Sequence, residues 1–175
     1  FDTGFSMART GAYAIMGTVN LEINNSASVT FSGGAQISGA GEKAAGTNPS
    51  HTAGGVLKLH GNGSMAISSI DASDATLDYT DLSATSSTAA DAYIQGTLTV
   101  NDSTVIALPA GATFPYFVAS AASGTLDPAN GVTIGGVAAP GYKLKSDGSV
   151  VAPRTVTISG NETWGTGTLN GKKYR

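Results

Sequence analysis

Between Gly96 and Leu108 the sequence runs GTLTVNDSTVIAL, a strand, a polar turn and a second strand, and this unit constrains the fold more than any other feature. Alternation with a period of two places Leu98 and Val100 on one face of an extended chain and Thr97 and Thr99 on the other. That is the pattern of a strand buried on one side. Variants of the unit recur: Val19, Leu21 and Ile23 alternate with Thr18, Asn20 and Glu22; Val29 and Phe31 follow the turn at Asn24-Asn25-Ser26. The same apolar face returns in Leu57 and Leu59, in Met65, Ile67 and Ile70 beyond Gly61-Asn62-Gly63-Ser64, and in Leu77 and Tyr79.

The rounds begin near Gly17, Ala35, Gly54, Ala75 and Tyr93, at spacings of about 18 to 21 residues, which is the range of stacked structural repeats. The spacing predicts an all-β fold, a parallel β-helix (β-solenoid) in which inward Val, Leu and Ile of one coil stack on the next. The alternative is an antiparallel β-sandwich, with Asn24-Asn25 and Asn62-Gly63 serving as hairpin turns. Four segments are expected: an irregular N-terminal cap over 1–16, solenoid repeats over 17–112, an antiparallel capping meander over 113–152, and the start of a further β repeat over 153–175. The meander is read from short strands parted by Asp127-Pro128, Pro140-Gly141 and Asp147-Gly148, the last a hairpin signal. Pro115, inside the most aromatic stretch of the chain, marks an edge or bulged strand.

Composition narrows the function classes. The 24 Gly and the low charged content of 12% leave too few long polar side chains to coat helices with ion pairs. A net charge of -3 offers no basic surface to a polyanion, so nucleic acid is not an expected partner. Without Cys there are no disulfides and no thiolate metal sites. No apolar run reaches the length of a membrane span, and no signal segment opens the chain. A start at Phe1 and an end at Lys172-Lys173-Tyr174-Arg175 suggest a mature fragment of a longer protein.

Three stretches, GTLTV at 96–100, FPYFVAS at 114–120 with GTL at 124–126, and PGYKLKSDGS at 140–149, resemble the autotransporter-associated β-strand repeats of bacterial passenger domains. The resemblance spans roughly Gly17 to Val151. It implies a right-handed parallel β-helix exported to a bacterial surface, and it brings no catalytic residues or cofactor with it.

For chemistry, the strongest candidate is the acidic group Asp71, Asp74, Asp78 and Asp81, because grouped carboxylates serve calcium binding and acid–base catalysis. Asp78 and Asp81 point to opposite faces of an unbroken strand, so their convergence requires a bend. The competing reading makes them turn residues and solvated edge charges. His51 and His60 each stand alone, without a carboxylate at metal-site spacing, and no metal site is expected. Exposed Tyr116, Tyr142 and Trp164 would suit stacking on sugar faces, whereas buried rings would plug the ends of a narrow solenoid.

These readings converge on a non-enzymatic structural or adhesive segment of an exported cell-surface protein. A rigid solenoid presents loops to a surface glycan, to a protein or to copies of itself, with fibre formation as a corollary. The alternative is a carbohydrate-active module, either a glycan-binding domain or a β-helix polysaccharide lyase using Asp71 to Asp81.

Overall fold

The computed structural model describes residues 1–7, 13–39, 52–154, 167–169 and 172–174. The chain is all-β with one short 3-10 turn at Ala89–Asp91 among these residues. It builds two mainly parallel sheets by visiting them in alternation. A first pass lays down β1 (Phe5–Met7), β2 (Tyr13–Met16) and β3 (Thr18–Ile23), and a second lays down β4 (Ser28–Phe31), β5 (Ala35–Ser38) and β6 (Val56–Gly61). The third pass is β7 (Ser64–Asp71) and β8 (Thr76–Asp78); the fourth is β9 (Ile94–Thr99) and β10 (Val105–Leu108). After the short β11 (Tyr116–Phe117), a fifth pass adds β12 (Ala119–Ser123) and β13 (Val132–Ile134).

In the first sheet the long β7 receives both β4 and β5 on one side and β9 on the other, with β1, β2 and β12 outermost. In the second sheet the order is β3-β6-β8-β10-β13, every pairing parallel. Strands joined directly by a turn, such as β3 and β4 or β6 and β7, lie in different sheets. The turns at Asn24-Asn25 and Asn62-Gly63 are therefore corners between sheets, and the hairpins that a sandwich would place there are not formed.

Register explains the core. Val29, Met65, Ile94 and Ala119 lie side by side across the first sheet, as do Ala35, Ile70, Leu98 and Ala122. In the second sheet the row is Val19, Leu57, Leu77, Ile106 and Val132. All these side chains are buried except half-buried Val19. Each row repeats one apolar position of the strand alternation. Shifting any strand by one residue would turn its whole apolar set outward, so burial pins the register.

The expected spacing of about 18 to 21 residues does not describe the stack. Val19 sits beside Leu57, Leu57 beside Leu77, and Leu77 beside Ile106, offsets of 38, 20 and 29 residues. Gly17 and Ala35 open strands of different sheets, so they are not equivalent positions in successive rounds. Ladder pairing fixes the strands alone, and the segment between β5 and β6 and the loop from Ser83 to Ala92 take up variable length. Residues 1–16, expected to be irregular, contribute β1 and β2 to the first sheet.

One irregularity has a visible cause. In β7, Met65, Ile67 and Ile70 are all buried although the last step is three residues, because the register against β9 shifts between Ala66 and Ser69. The extra residue is a β-bulge that returns the apolar face to the core. Opposite it stands Gly96, where a Cβ would overlap the Ile67 carbonyl oxygen.

Beyond β13 the pairing becomes antiparallel. β14 (Val137–Ala138) folds back on β13; β15 (Lys143–Leu144) and β16 (Ser149–Val151) form a hairpin, with β11 on the other edge of β16. Asp147-Gly148 makes the turn, Gly148 N–H donating to the Lys145 carbonyl at 3.0 Å. The meander expected over 113–152 is thus antiparallel in its short strands, while β12 and β13 remain in the parallel sheets. β11 is an edge strand, in keeping with Pro115 before it. β17 (Gly167–Leu169) and β18 (Lys172–Tyr174) form a separate antiparallel pair.

Candidate functional site

The four aspartates fall at corners of the stack, and two of them, Asp71 and Asp78, take up the same local geometry as Asp147 in the cap. Asp71 Oδ1 accepts from the Ser73 N–H at 3.0 Å and from its hydroxyl at 2.7 Å. Asp78 does the same with Thr80, and Asp147 with Ser149. These Asp-x-Ser/Thr units are Asx turns: the carboxylate replaces a strand partner for the N–H two residues on. Asp74 sits at φ 56°, and its backbone N–H donates to Asn101 Oδ1 at 3.0 Å, while Asn101 Nδ2 donates to Asp74 Oδ1 at 2.9 Å. That reciprocal pair ties the corner of one pass to the corner of the next. Ser26 N–H donating to Asn62 Oδ1 at 3.0 Å does so one pass earlier.

The group therefore divides. Asp71 and Asp74 are engaged at corners, but Asp78 and Asp81 come to one outer face of the second sheet. The bend they require is a turn after β8, in which the Leu82 N–H donates to the Tyr79 carbonyl at 2.9 Å. Asp78 pairs with Lys58 at 3.4 Å, and Asp81 Oδ2 lies 3.1 Å from His60 Nδ1. Lys58 and His60 are two residues apart on β6 and share its outward face. The other imidazole nitrogen, Nε2, is 3.1 Å from Asn20 Oδ1 on β3. Contrary to the sequence expectation, His60 does have a carboxylate partner, brought to it by the parallel pairing of β6 and β8. Burial pushes the Asp78 carboxyl up, but hydrogen bonds from Thr80 and the Lys58 ammonium outweigh it and hold the pKa below its ordinary value.

This face carries two carboxylates, an ammonium and an imidazole held between Asp81 and Asn20. It can exchange hydrogen bonds with a polar ligand across the sheet. Among the described residues no three His, Asp or Glu side chains converge with metal-binding geometry. His51 lies outside the described residues.

The aromatic candidates are placed differently from one another. Tyr116 is buried at 2% exposure, its hydroxyl donating to the Ser83 carbonyl at 2.9 Å, so its ring presents no face to a sugar. Its edge-to-face neighbour Tyr79, with centroids 6.5 Å apart, donates to the Val118 carbonyl at 3.0 Å. Tyr93 donates to the backbone carbonyl of His60 at 2.9 Å, with the Leu21 carbonyl at 3.2 Å. Burial raises the pKa of Tyr93 and Tyr116 to about 12, and that of Tyr79 well above its ordinary value. The three rings border a cavity of about 170 Å³ under the Ser83–Ala92 loop. Tyr142 is half-buried against Phe114, with centroids 4.7 Å apart. Trp164 lies outside the described residues.

Two features escaped sequence reasoning. The Lys58–Asp78 and His60–Asp81 contacts depend on pairing across 20 residues, which no local pattern announces. The Asp-x-Ser/Thr triplet occurs at 71–73, 74–76, 78–80, 81–83, 102–104 and 147–149, so the triplet by itself does not single out the corners at Asp71, Asp78 and Asp147. Comparison with protein-family models, with curated proteins and with solved structures finds no match to this chain. Among the described residues no helix is long and apolar enough to cross a membrane.

Proposed function

We propose that the chain is a β-solenoid scaffold, a structural and adhesive segment of an exported bacterial surface protein. The observation that carries this reading is the pair of parallel ladders laid down by alternating visits, with unbroken aliphatic rows five strands deep in the second sheet. Such an arrangement puts rigidity in backbone pairing and stacked aliphatic side chains, leaving outer faces and loops free to vary. Outward positions of the second sheet are polar on β3, where Asn20 and Glu22 are exposed, and on β6 and β8, where Lys58, His60 and Asp78 are half-buried, and they are apolar on β10, where Val105 and Ala107 are half-buried. Loops of unequal length emerge from a constant ladder, which suits presentation of contacts to a partner. The right hand of the coil and export to the cell surface are the expectations drawn from the passenger-domain resemblance.

Display of the chain on a non-adherent bacterial host tests the adhesive role. The expected result is attachment to a glycan-coated or protein-coated surface, or clumping of the displaying cells, above a host displaying an unrelated β domain. Unchanged behaviour on every surface, with the chain demonstrably folded outside the cell, would remove adhesion from the account.

A further inference from the structure

The charge of this chain is unevenly placed. Residues 1–140 hold ten acidic and three basic side chains, whereas residues 141–175 hold two acidic and six basic ones. Three of those cations, Lys143, Lys145 and Arg154, line one groove of about 630 Å³ on the antiparallel cap. Its remaining wall is apolar, chiefly Phe114, Pro115 and Val151, and among the described residues no carboxylate lines it.

Strand register accounts for the groove. Val150 faces Tyr116 on one side and Leu144 on the other, and it is fully buried, so this set points into the molecule. Lys143 pairs with Val151 on the opposite, outward face, and alternation carries Lys145 and Pro115 to the same side. Two exposed ammonium groups thus flank an apolar strip, with Arg154 following β16 at its end. The nearby acid, Asp147, is engaged by the Ser149 hydroxyl and N–H at 2.6 and 3.0 Å. Among the described residues, Lys143, Lys145 and Arg154 make no salt bridge, unlike Lys58 with Asp78. Asp147 feels the charge of Lys145 but forms no salt bridge with it; three like charges gathered on one groove repel one another, and an anion relieves that repulsion.

We propose that this groove binds an acidic glycan. Carboxylate or sulfate groups of the sugar chain lie against Lys143, Lys145 and Arg154, and sugar C–H faces pack on Phe114, Pro115 and Val151. The volume falls within the range of small-ligand sites, roughly 300 to 1,000 Å³. The inference goes beyond the scaffold reading and stands on the groove alone.

The test is titration of the whole chain with hyaluronan and chondroitin sulfate oligosaccharides, neutral dextran and polyglutamate, at low and at raised salt. The expected result is saturable binding of the acidic oligosaccharides that weakens with salt. Lys143→Glu/Lys145→Glu should weaken it by about tenfold, as two attractive charge contacts become repulsive. Arg154→Glu, beyond the last strand of the cap, should weaken it by a smaller factor and serves if the double variant loses its fold. Equal binding by folded variants, equal binding of dextran, or no binding of either acidic glycan would overturn the proposal. Tighter binding of polyglutamate than of the glycans would overturn it in favour of an acidic protein. Low-salt self-association that persists beside acidic glycan would overturn it in favour of a second copy of this chain.

Discussion

In the parallel body each strand of the second sheet finds its partner 20 to 38 residues away, whereas in the cap β15 and β16 are neighbours across the Asp147-Gly148 turn. The two regions therefore pay entropy differently. Closing a long loop before any pairing is rewarded makes the body slow to nucleate and dependent on its complete rows. The cap hairpin forms locally, but its two- and three-residue strands bury little by themselves, and it is anchored to the body by buried Val150 and Tyr116. The difference teaches where stability and exposure reside: the aliphatic rows hold the body, and the cap combines a fixed inner face with a charged outer one.

Substitution in the rows should show the contrast most strongly. Leu77 is fully buried at the middle of the second sheet, and Leu77→Ala is expected to cost about 2–5 kcal/mol in urea unfolding. Val150→Ala removes less and is expected to cost about 1–3 kcal/mol. A larger loss at Val150 than at Leu77 would reverse the ranking of body over cap.

Next comes Gly96→Ala, whose added methyl meets the Ile67 carbonyl at the bulge and should cost about 1–3 kcal/mol. Gly111→Ala is its control: with open space around the Cβ but φ +76°, it should cost only about 1 kcal/mol. Equal costs would mean that close approach at the bulge contributes nothing.

Tyr79 joins the regions: its ring meets Tyr116 of β11 edge to face at 6.5 Å, and its hydroxyl donates to the Val118 carbonyl at 3.0 Å. Tyr79→Phe leaves that carbonyl without its donor and should lower stability by about 1 kcal/mol. The same tyrosines fix an alkaline limit. Because the folded pKa of Tyr93 and Tyr116 is raised to about 12, their contribution is complete below the ordinary value of 10.0 and is lost as pH rises through about 12. Urea midpoints should therefore fall over that interval. Asp78 has the opposite sign: its folded pKa is lowered from 3.8, so its contribution is present above that value and is lost as pH falls through the lower folded pKa. A flat midpoint from pH 10 to 12 would contradict burial of the tyrosines.

The smallest effect belongs to the outer face. Lys58 is 43% exposed in its side chain, and Lys58→Ala should change stability by no more than about 1 kcal/mol.

Strand faces were legible because the period of two is a local property: Val19, Leu57, Leu77 and Ile106 announced themselves. Their partners were not, since which strand pairs with which depends on loops whose lengths differ between passes. That is why a uniform repeat was expected where offsets of 38, 20 and 29 occur. The candidate site divides along the same line. A turn role for Asp71 and Asp78 is legible as a general side-chain preference, while the meeting of His60 with Asp81 exists only after β6 and β8 pair. Tyr116 could not be assigned to surface or core from sequence, because an amphipathic ring suits both. Its register with Val150 decided the matter.

The central claim is the parallel pairing of strands distant in sequence, and through-hydrogen-bond NMR couplings between backbone nitrogen and carbonyl carbon measure it directly. The account predicts couplings from Val56 N to the Gly17 carbonyl, from Thr76 N to Gly55 and from Val105 N to Ala75, matching hydrogen bonds of 2.8, 2.8 and 3.0 Å. Their absence, with couplings instead between β3 and β4 and between β6 and β7, would show hairpins where this structure has corners and would contradict it.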